Sequence, residues 1–281
     1  MLSAGGYEVY VFISDRFALD GGSMFGAVPK TLWGKEVASD TLNRMQLCCR
    51  MLVLKGHGRL VLVDLGCGRK WSAKDYDIYK IEHTTTAQLH EVFADATDVI
   101  LTHLHFDHAG GAVYAGADGM PHLSFPGAVH HIQERNFRHA QTPSVREKAS
   151  YLRANLEPLS RAKLNLISGP AELLPGLRVF EANGHTHGQQ WVLVGEGRGA
   201  LAFPSDMLPS AHHIHLPYIT AFDLSVEQTI EEKRKFLEHA LEHEWTVVFY
   251  HDIQTPAAKI RRDNYGRFRL GAAVEIPQYY V

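Results

Sequence analysis

The segment Thr102-His103-Leu104-His105-Phe106-Asp107-His108-Ala109-Gly110-Gly111 constrains this chain more than any other. Three imidazoles and a carboxylate fall within six residues, directly behind the run Asp98-Val99-Ile100-Leu101. Histidine is common here, 18 residues of 281. Even so, three fixed histidine positions coincide by chance only about 0.07 times in such a chain. Alternation along an extended backbone puts His103, His105 and Asp107 on one side as the chain leaves a strand. His108 and the glycine pair then let it turn back toward the same centre. Imidazole and carboxylate together suit zinc, iron or manganese. One short loop can therefore feed two adjacent metals, provided that the fold holds a strand end rigid beneath it.

Further ligands are expected where other strands end, because rigid elements place ligands best. β-type runs bounded by Gly, Pro, Asn or Asp recur at Tyr7–Ser14, Leu47–Leu54, Leu60–Val63, Asp98–Leu101, Arg178–Ala182, Trp191–Val194, Ala200–Phe203 and Thr246–Tyr250. Arg178–Ala182 leads into Asn183-Gly184-His185-Thr186-His187-Gly188, Ala200–Phe203 into Pro204-Ser205-Asp206, and Thr246–Tyr250 into His251. Leu60–Val63 ends in Asp64, a carboxylate suited to orienting a ligand histidine. Helical periodicity marks Val226, Ile230, Leu237 and Leu241, with Ser225 and Gln228 as a capping box and Glu227, Glu231, Glu232 and Lys235 on the wet face. Further helices are expected over Ser144–Leu159 and around Thr86–Ala94. Strands with interspersed helices and no regular alternation point to sheets with helices packed outside.

The net charge of −3 lacks the basic excess of a nucleic-acid binder. Cys48, Cys49 and Cys67 form no Cys-x-x-Cys pair and no disulfide framework, which favours a reducing cytoplasm. No apolar stretch is long enough to cross a bilayer, and no signal-peptide pattern opens the chain. One domain over 1–281 is expected, with a loop extension at about 15–45 and a short tail at about 256–281.

The order His-x-His-x-Asp-His, then Gly-His-Thr-x-Gly, then Ser-Asp, then a late His resembles the metallo-β-lactamase-fold hydrolase superfamily. The first motif matches at His103, His105, Asp107 and His108, the second at Gly184, His185, Thr186 and Gly188, and Val63-Asp64-Leu65-Gly66 resembles the early Asp-bearing motif. Asp20–Gly26 and Pro209–Asp223 also resemble a bacterial subgroup related to acyl-homoserine lactonases and phosphotriester hydrolases. The resemblance implies an α+β fold, a four-layer αββα sandwich with a dinuclear site on one edge. It implies that His103, His105 and His185 hold one metal, that Asp107, His108 and His251 hold the second, and that Asp206 bridges them. Asp64 and Thr186 stand behind these ligands, and Asp206 and Asp107 are the carboxylates assigned to catalysis. The implied activity is metal-dependent hydrolysis, with a metal-bridging hydroxide cleaving an ester, lactone or similar bond. Two divalent ions are expected, zinc first because His105 stands where oxygen-reducing relatives carry a carboxylate, with iron or manganese as alternatives.

The sequence departs from the lactonase pattern in two places. Ser205 precedes the bridging Asp where Gly is common, and Pro209 stands where the lactonases carry a catalytic Tyr three residues after that Asp. Tyr218 is the candidate substitute. His212, His213, His215, Tyr218, Phe222, Met24 and Phe25 are candidates for the substrate mouth. The partner expected is a small molecule, with no nucleic acid and no membrane, and a homodimer as an option. Phosphotriester or thioester hydrolysis on the same site is the nearest alternative. Outside that class stand a non-catalytic metal-binding protein and a methyltransferase read from Val63-Asp64-Leu65-Gly66-Cys67-Gly68, which lacks the next glycine at Lys70. His130 and His131 read as structural, and His239 with His243 as a surface pair on a helix.

Overall fold

The strand Arg44–Gly56 is apolar along most of its length because both of its faces are covered. In the computed structural model, which describes residues 2–280, its side chains divide between two cores. Leu52 and Leu54 join Val9, Val61 and Ile100, while Met51 and Val53 join Phe12, Leu62 and Phe93. Alternation with period two makes that division. The first core is shared with a second sheet, which contributes Val179, Val192, Leu201 and Val248. On that sheet's far side Leu193, Ala202 and Val247 meet Phe236 and Leu237 of the helix Val226–Glu242. Behind the first sheet, Ala140 and Leu159 come from the helices Glu134–Gln141 and Arg153–Leu159. Helix, sheet, sheet and helix form the four layers of an α+β sandwich.

The first sheet runs in the order Leu2–Ala4, Tyr7–Asp20, Arg44–Gly56, Arg59–Val63, Asp98–Ile100, Val129–Gln133, Lys163–Ile167, with Glu82–His83 beside Tyr7–Asp20. It is antiparallel as far as Arg59–Val63 and parallel from there on. The second runs Ala171–Leu174, Leu177–Ala182, Gln189–Val194, Leu201–Phe203, Thr246–Val248, Ala257–Arg262, Phe268–Ala273, and only Leu201–Phe203 with Thr246–Val248 is parallel. Parallel neighbours end on the same rim. Backbone hydrogen bonds sew the two sheets together there: Gln190 to the Thr102 carbonyl (2.8 Å), Arg50 to that of Tyr250 (3.1 Å) and Cys48 to that of His251 (3.3 Å).

Several expectations change. The loop expected over 15–45 is largely regular: after a register shift between Ile13 and Asp15, Tyr7–Asp20 stays paired with the next strand to Asp20, and Gly21–Phe25 and Lys30–Trp33 are helical. Phe17, Phe25 and Trp33, at most 1% exposed, anchor this region in the core, and the Asp20 side chain caps a helix by accepting from Ser23 N at 2.9 Å. The tail expected at 256–281 is instead the edge hairpin Ala257–Arg262 with Phe268–Ala273. The chain then returns to the first sheet, where Val11 N donates to Pro277 O at 2.9 Å. Its arginines sit among Ile260, Phe268 and Leu270, so charge masked a period-two pattern. Helix forms only over Arg153–Leu159 and Leu89–Val92 within the longer spans expected. Ser225 is the N-cap residue of Val226–Glu242, but its side chain makes no capping bond. Among the described residues no helix is long and apolar enough to cross a membrane.

Candidate metal centre

Four strand ends converge on the shared rim, and the loops they carry bring seven side chains into two groups. His103, His105 and His185 form one; Asp107, His108, Asp206 and His251 form the other. Within each group, one nitrogen or oxygen per residue lies within 4.8 Å of all the others. In the first, His103 Nε2 and His185 Nε2 stand 3.0 and 3.2 Å from His105 Nδ1. In the second, Asp107 Oδ2 is 3.5 Å from His251 Nε2. Asp206 straddles the groups: Oδ2 is 3.4 Å from His185 Nε2, and Oδ1 is 3.2 Å from His108 Nε2 and 3.1 Å from His251 Nε2.

A metal-binding imidazole needs its other nitrogen held, which fixes the tautomer and the ring plane. Here His108 Nδ1 donates to Asp64 Oδ2 (2.9 Å), His185 Nδ1 to Asp223 Oδ1 (2.8 Å) and His251 Nδ1 to the Cys48 carbonyl (3.0 Å). His105 is turned over: Nδ1 faces its group and Nε2 faces Glu147 Oε1 at 3.5 Å. Glu147 is buried and accepts from Thr186 and from His139, both at 2.6 Å. Asp64 also accepts from Thr102 N at 2.8 Å, which ties the end of one strand to the loop leaving the next.

The donor set fits cations. His108 Nε2 and Asp206 Oδ1 are buried and close, yet neither is aligned with a protein hydrogen-bond partner. Such atoms are costly unless something satisfies them. Burial lowers the pKa of His103 well below the ordinary imidazole value, and His108 and His105 add to the shift; burial also lowers His105. Both are therefore neutral, the form that offers a lone pair. Burial lowers His108 as well, but Asp206, Asp64 and Asp107 outweigh it and hold that imidazole well above its usual value. Burial pushes Asp206 up, yet His108 and His251 together hold it well below the usual carboxylate range. Carboxylates gathered around buried imidazoles favour positive charge, which a divalent cation supplies in place of protons.

The local backbone explains a departure noted in the sequence. Ser205 has φ +52°, the left-handed region that glycine adopts without strain, and its hydroxyl lies 2.8 Å from the Thr102 hydroxyl. Gly184 is required for a different reason: a Cβ there would lie 2.4 Å from Thr229 N. Its amide and that of Asn183 donate to Glu232, both at 2.9 Å, so the helix Val226–Glu242 grips the loop that carries His185. Glu232, expected on the wet face, thus works at the rim.

Both groups border a cavity of about 390 Å³ whose walls include Leu19, Met24, Ile78, Tyr79, Phe106 and Phe222. Arg44 and Arg146 bring positive charge to it. Arg44 is paired with Asp40 at 2.9 Å. Arg146 donates to the carbonyls of Ala221 and Asp223 and, among the described residues, has no carboxylate partner.

Of the mouth candidates, Met24 and Phe222 line this cavity. Phe25 is buried, stacked between Trp33 (5.2 Å) and His213 (5.0 Å). His213 lies 2.7 Å from the Ser210 hydroxyl and 2.8 Å from the Met24 carbonyl, and so fastens two loops. His212 pairs with Glu36 in a neighbouring pocket of about 170 Å³. His215 and Tyr218 lie in a groove beside Arg269, so Tyr218 does not take the place of the lactonase Tyr. Asp64 meets His108 and Thr102, and Thr186 meets Glu147 and Tyr151. Sequence reading missed Glu147, Asp223, Tyr79 and Arg146. Glu147 and Arg146 lie in the charged run Arg146-Glu147-Lys148, which reads as solvated, and Asp223 and Tyr79 carry no local pattern.

This geometry belongs to a sandwich hydrolase with ligands on one rim. A family model of the metallo-beta-lactamase superfamily matches residues 49–239, and the chain belongs to that superfamily. A probable metal-dependent hydrolase from Staphylococcus aureus is similar in structure, at 24% identity and TM-score 0.86, covering 98% of this chain and 100% of that one. AidC, a dizinc quorum-quenching lactonase solved with a homoserine product, is similar at 18% identity and TM-score 0.74, covering 100% and 97%. The hydrolase AbOPH is similar at 16% identity and TM-score 0.73, covering 99% and 97%. At these identities the likeness is one of fold. No curated protein matches in sequence.

Proposed function

We propose that this metal-dependent hydrolase holds two divalent cations, zinc by preference, and opens a small ester or lactone with an apolar acyl part. The observation that carries the reading is Asp206, whose two oxygens face the two ligand groups at the border of a largely apolar cavity. His103, His105 and His185 hold the first cation and Asp107, His108 and His251 the second. When bound, such a pair supplies Lewis acidity and acidifies water toward neutrality.

The chain's own groups do the rest. Asp206, kept ionised by His108 and His251, accepts the proton released as water oxygen bonds to the acyl carbon. It returns that proton to the alkoxide oxygen as the acyl C–O bond breaks, leaving a carboxylic acid and a hydroxyl, and the acid then gives its remaining proton to solvent as it becomes a carboxylate. Tyr79 lines the cavity, and its hydroxyl engages no protein hydrogen-bond partner among the described residues. It takes the role vacated at Pro209 and donates to the substrate carbonyl. Arg146 holds the carboxylate end of the product. Leu19, Met24, Ile78 and Phe222 receive the acyl chain. The homoserine product seen in AidC has this composition, an apolar acyl group with a carboxylate.

The test is acid release in a pH-stat from a medium-chain acyl-homoserine lactone by zinc-reconstituted protein. Turnover lost in His103→Ala supports the reading. No turnover by protein shown to hold two equivalents of zinc overturns it, and a dialkyl aryl phosphotriester becomes the next substrate to try.

A further inference from the structure

Away from the rim, the last turn of the helix Val226–Glu242 gathers a second ligand set. His239, Glu242 and His243 each offer one ligand atom, and the three atoms lie within 4.8 Å of one another. Spacing alone allows this, because residues three and four apart share a helix face. The structure adds alignment: the two imidazole rings are parallel within 2°, with centroids 6.1 Å apart. Trp245 fixes them from below, at 6.3 Å from His239 and 5.7 Å from His243, with 24° between planes in each case. Among the described residues none of the three side chains has a hydrogen-bond or ion-pair partner. Nearby charges are engaged elsewhere: Glu238 with Arg234 at 2.7 Å, and Glu244 with Arg198 at 3.0 Å. The negative end of the helix dipole lies at this turn and favours a cation.

We infer that His239, Glu242 and His243 form an exposed binding site for imidazole-seeking divalent cations, separate from the rim centre. Two imidazoles and one carboxylate select copper, nickel and zinc over magnesium and calcium, which prefer oxygen ligands. Three ligands at a helix end, two of them exposed, leave coordination positions open to water, so the ion exchanges freely. The site goes beyond the hydrolytic reading and does not depend on it. A cation there also staples the final turn of the helix whose Glu232 holds the His185 loop.

The test uses protein already loaded with zinc at the rim and freed of excess metal, titrated with nickel. Equilibrium dialysis counts bound nickel and zinc, and tryptophan fluorescence, compared with that of Trp245→Phe, reports the site because paramagnetic nickel quenches the adjacent indole. One additional equivalent of nickel with quenching, and no loss of zinc, is expected. His243→Ala should weaken that equivalent about tenfold or more, and Glu242→Gln less. Rim zinc and hydrolytic rate should stay unchanged in both variants. The inference is overturned if no additional equivalent binds, or if it binds equally well and still quenches in the double variant His239→Ala/His243→Ala. Both substitutions are on the surface at a helix end, so folding is checked simply by the unchanged zinc content.

Discussion

At the rim, the outward nitrogens of His108, His185 and His251 are held by Asp64, Asp223 and the Cys48 carbonyl, and that of His105 faces Glu147. At the end of the helix Val226–Glu242, His239 and His243 lie parallel to each other over Trp245, with no side chain behind their nitrogens among the described residues. Both regions bring imidazoles and a carboxylate within ligand distance. Buried partners lock tautomer and ring plane at the first, so its ligands are set before a cation arrives. At the second, Trp245 sets the ring planes, but among the described residues no side chain holds the other nitrogens. Proximity of ligands thus defines where a cation can go, and the layer behind them defines how tightly it stays.

The comparison breaks first at the bridging carboxylate. Asp206→Ala removes the one group that faces both ligand sets, and hydrolysis should fall by more than about 10²-fold with loss of bound metal. Asp206→Asn is the sharper variant. If it retained both metals and full activity, proton carriage by Asp206 would be refuted while its place between the ligand groups stood. Next come the orienting carboxylates. Asp64→Asn, Glu147→Gln and Asp223→Asn should each weaken metal retention or activity by about 10–100-fold, measured by dialysis against a chelator and by initial rates. If all three behaved like wild type, the layer behind the ligands would not distinguish the rim from the helix end.

Smaller effects separate the cavity walls from the metal ligands. Tyr79→Phe should lower kcat about 10-fold or more with KM little changed, because its hydroxyl meets the carbonyl as charge develops. Arg146→Gln should raise the inhibition constant of a carboxylate product while leaving that of its methyl ester near wild type, and Arg146→Lys should restore part of the loss. Metal content should be unchanged in all of these.

The candidate ligands were legible because each of their motifs follows a strand end, and a motif is local. His103 to His108 announce themselves by density, and His185, Asp206 and His251 by following apolar runs. The sheets were legible through period-two apolar runs, except where arginines interrupt the hairpin Ala257–Arg262 with Phe268–Ala273. The orienting groups were mostly hidden. Asp64 showed itself by sitting at a strand end, but Glu147 reaches His105 from 42 positions away in sequence, out of a polar turn that resembles any exposed one. Glu232 looked like a surface residue because helical periodicity says which face a residue is on and not what crosses it. Tyr218 had the right chemistry in the right loop, yet Lys233 pins that loop segment away from the cavity.

Lys233 supports a pH prediction on the helix that joins the two regions. It is fully buried, and Nζ donates to the carbonyls of Tyr218 (2.6 Å) and His215 (3.2 Å). Burial pushes its pKa down to about 7 from an ordinary 10.5, with Asp223 opposing the shift. The folded state therefore binds fewer protons than the unfolded chain between those values, and from this group stability rises with pH across that window. Below about pH 7 the lysine is charged in both states and the full cost of burying it is present. Lys233→Met strands two carbonyls, a cost nearly independent of pH, but removes the titration. Urea midpoints at about pH 6.5 and about pH 8.5 should then rise more steeply for wild type than for the variant, by at most about 1.4 kcal/mol per pH unit. Parallel pH profiles would show that the lysine keeps an ordinary affinity for protons, and its grip on the 215–218 segment would then come from the charged form at all working pH values. Because that segment leads into Thr220 and Asp223 at the rim, the slope difference also reports how firmly the His185 side of the centre is held.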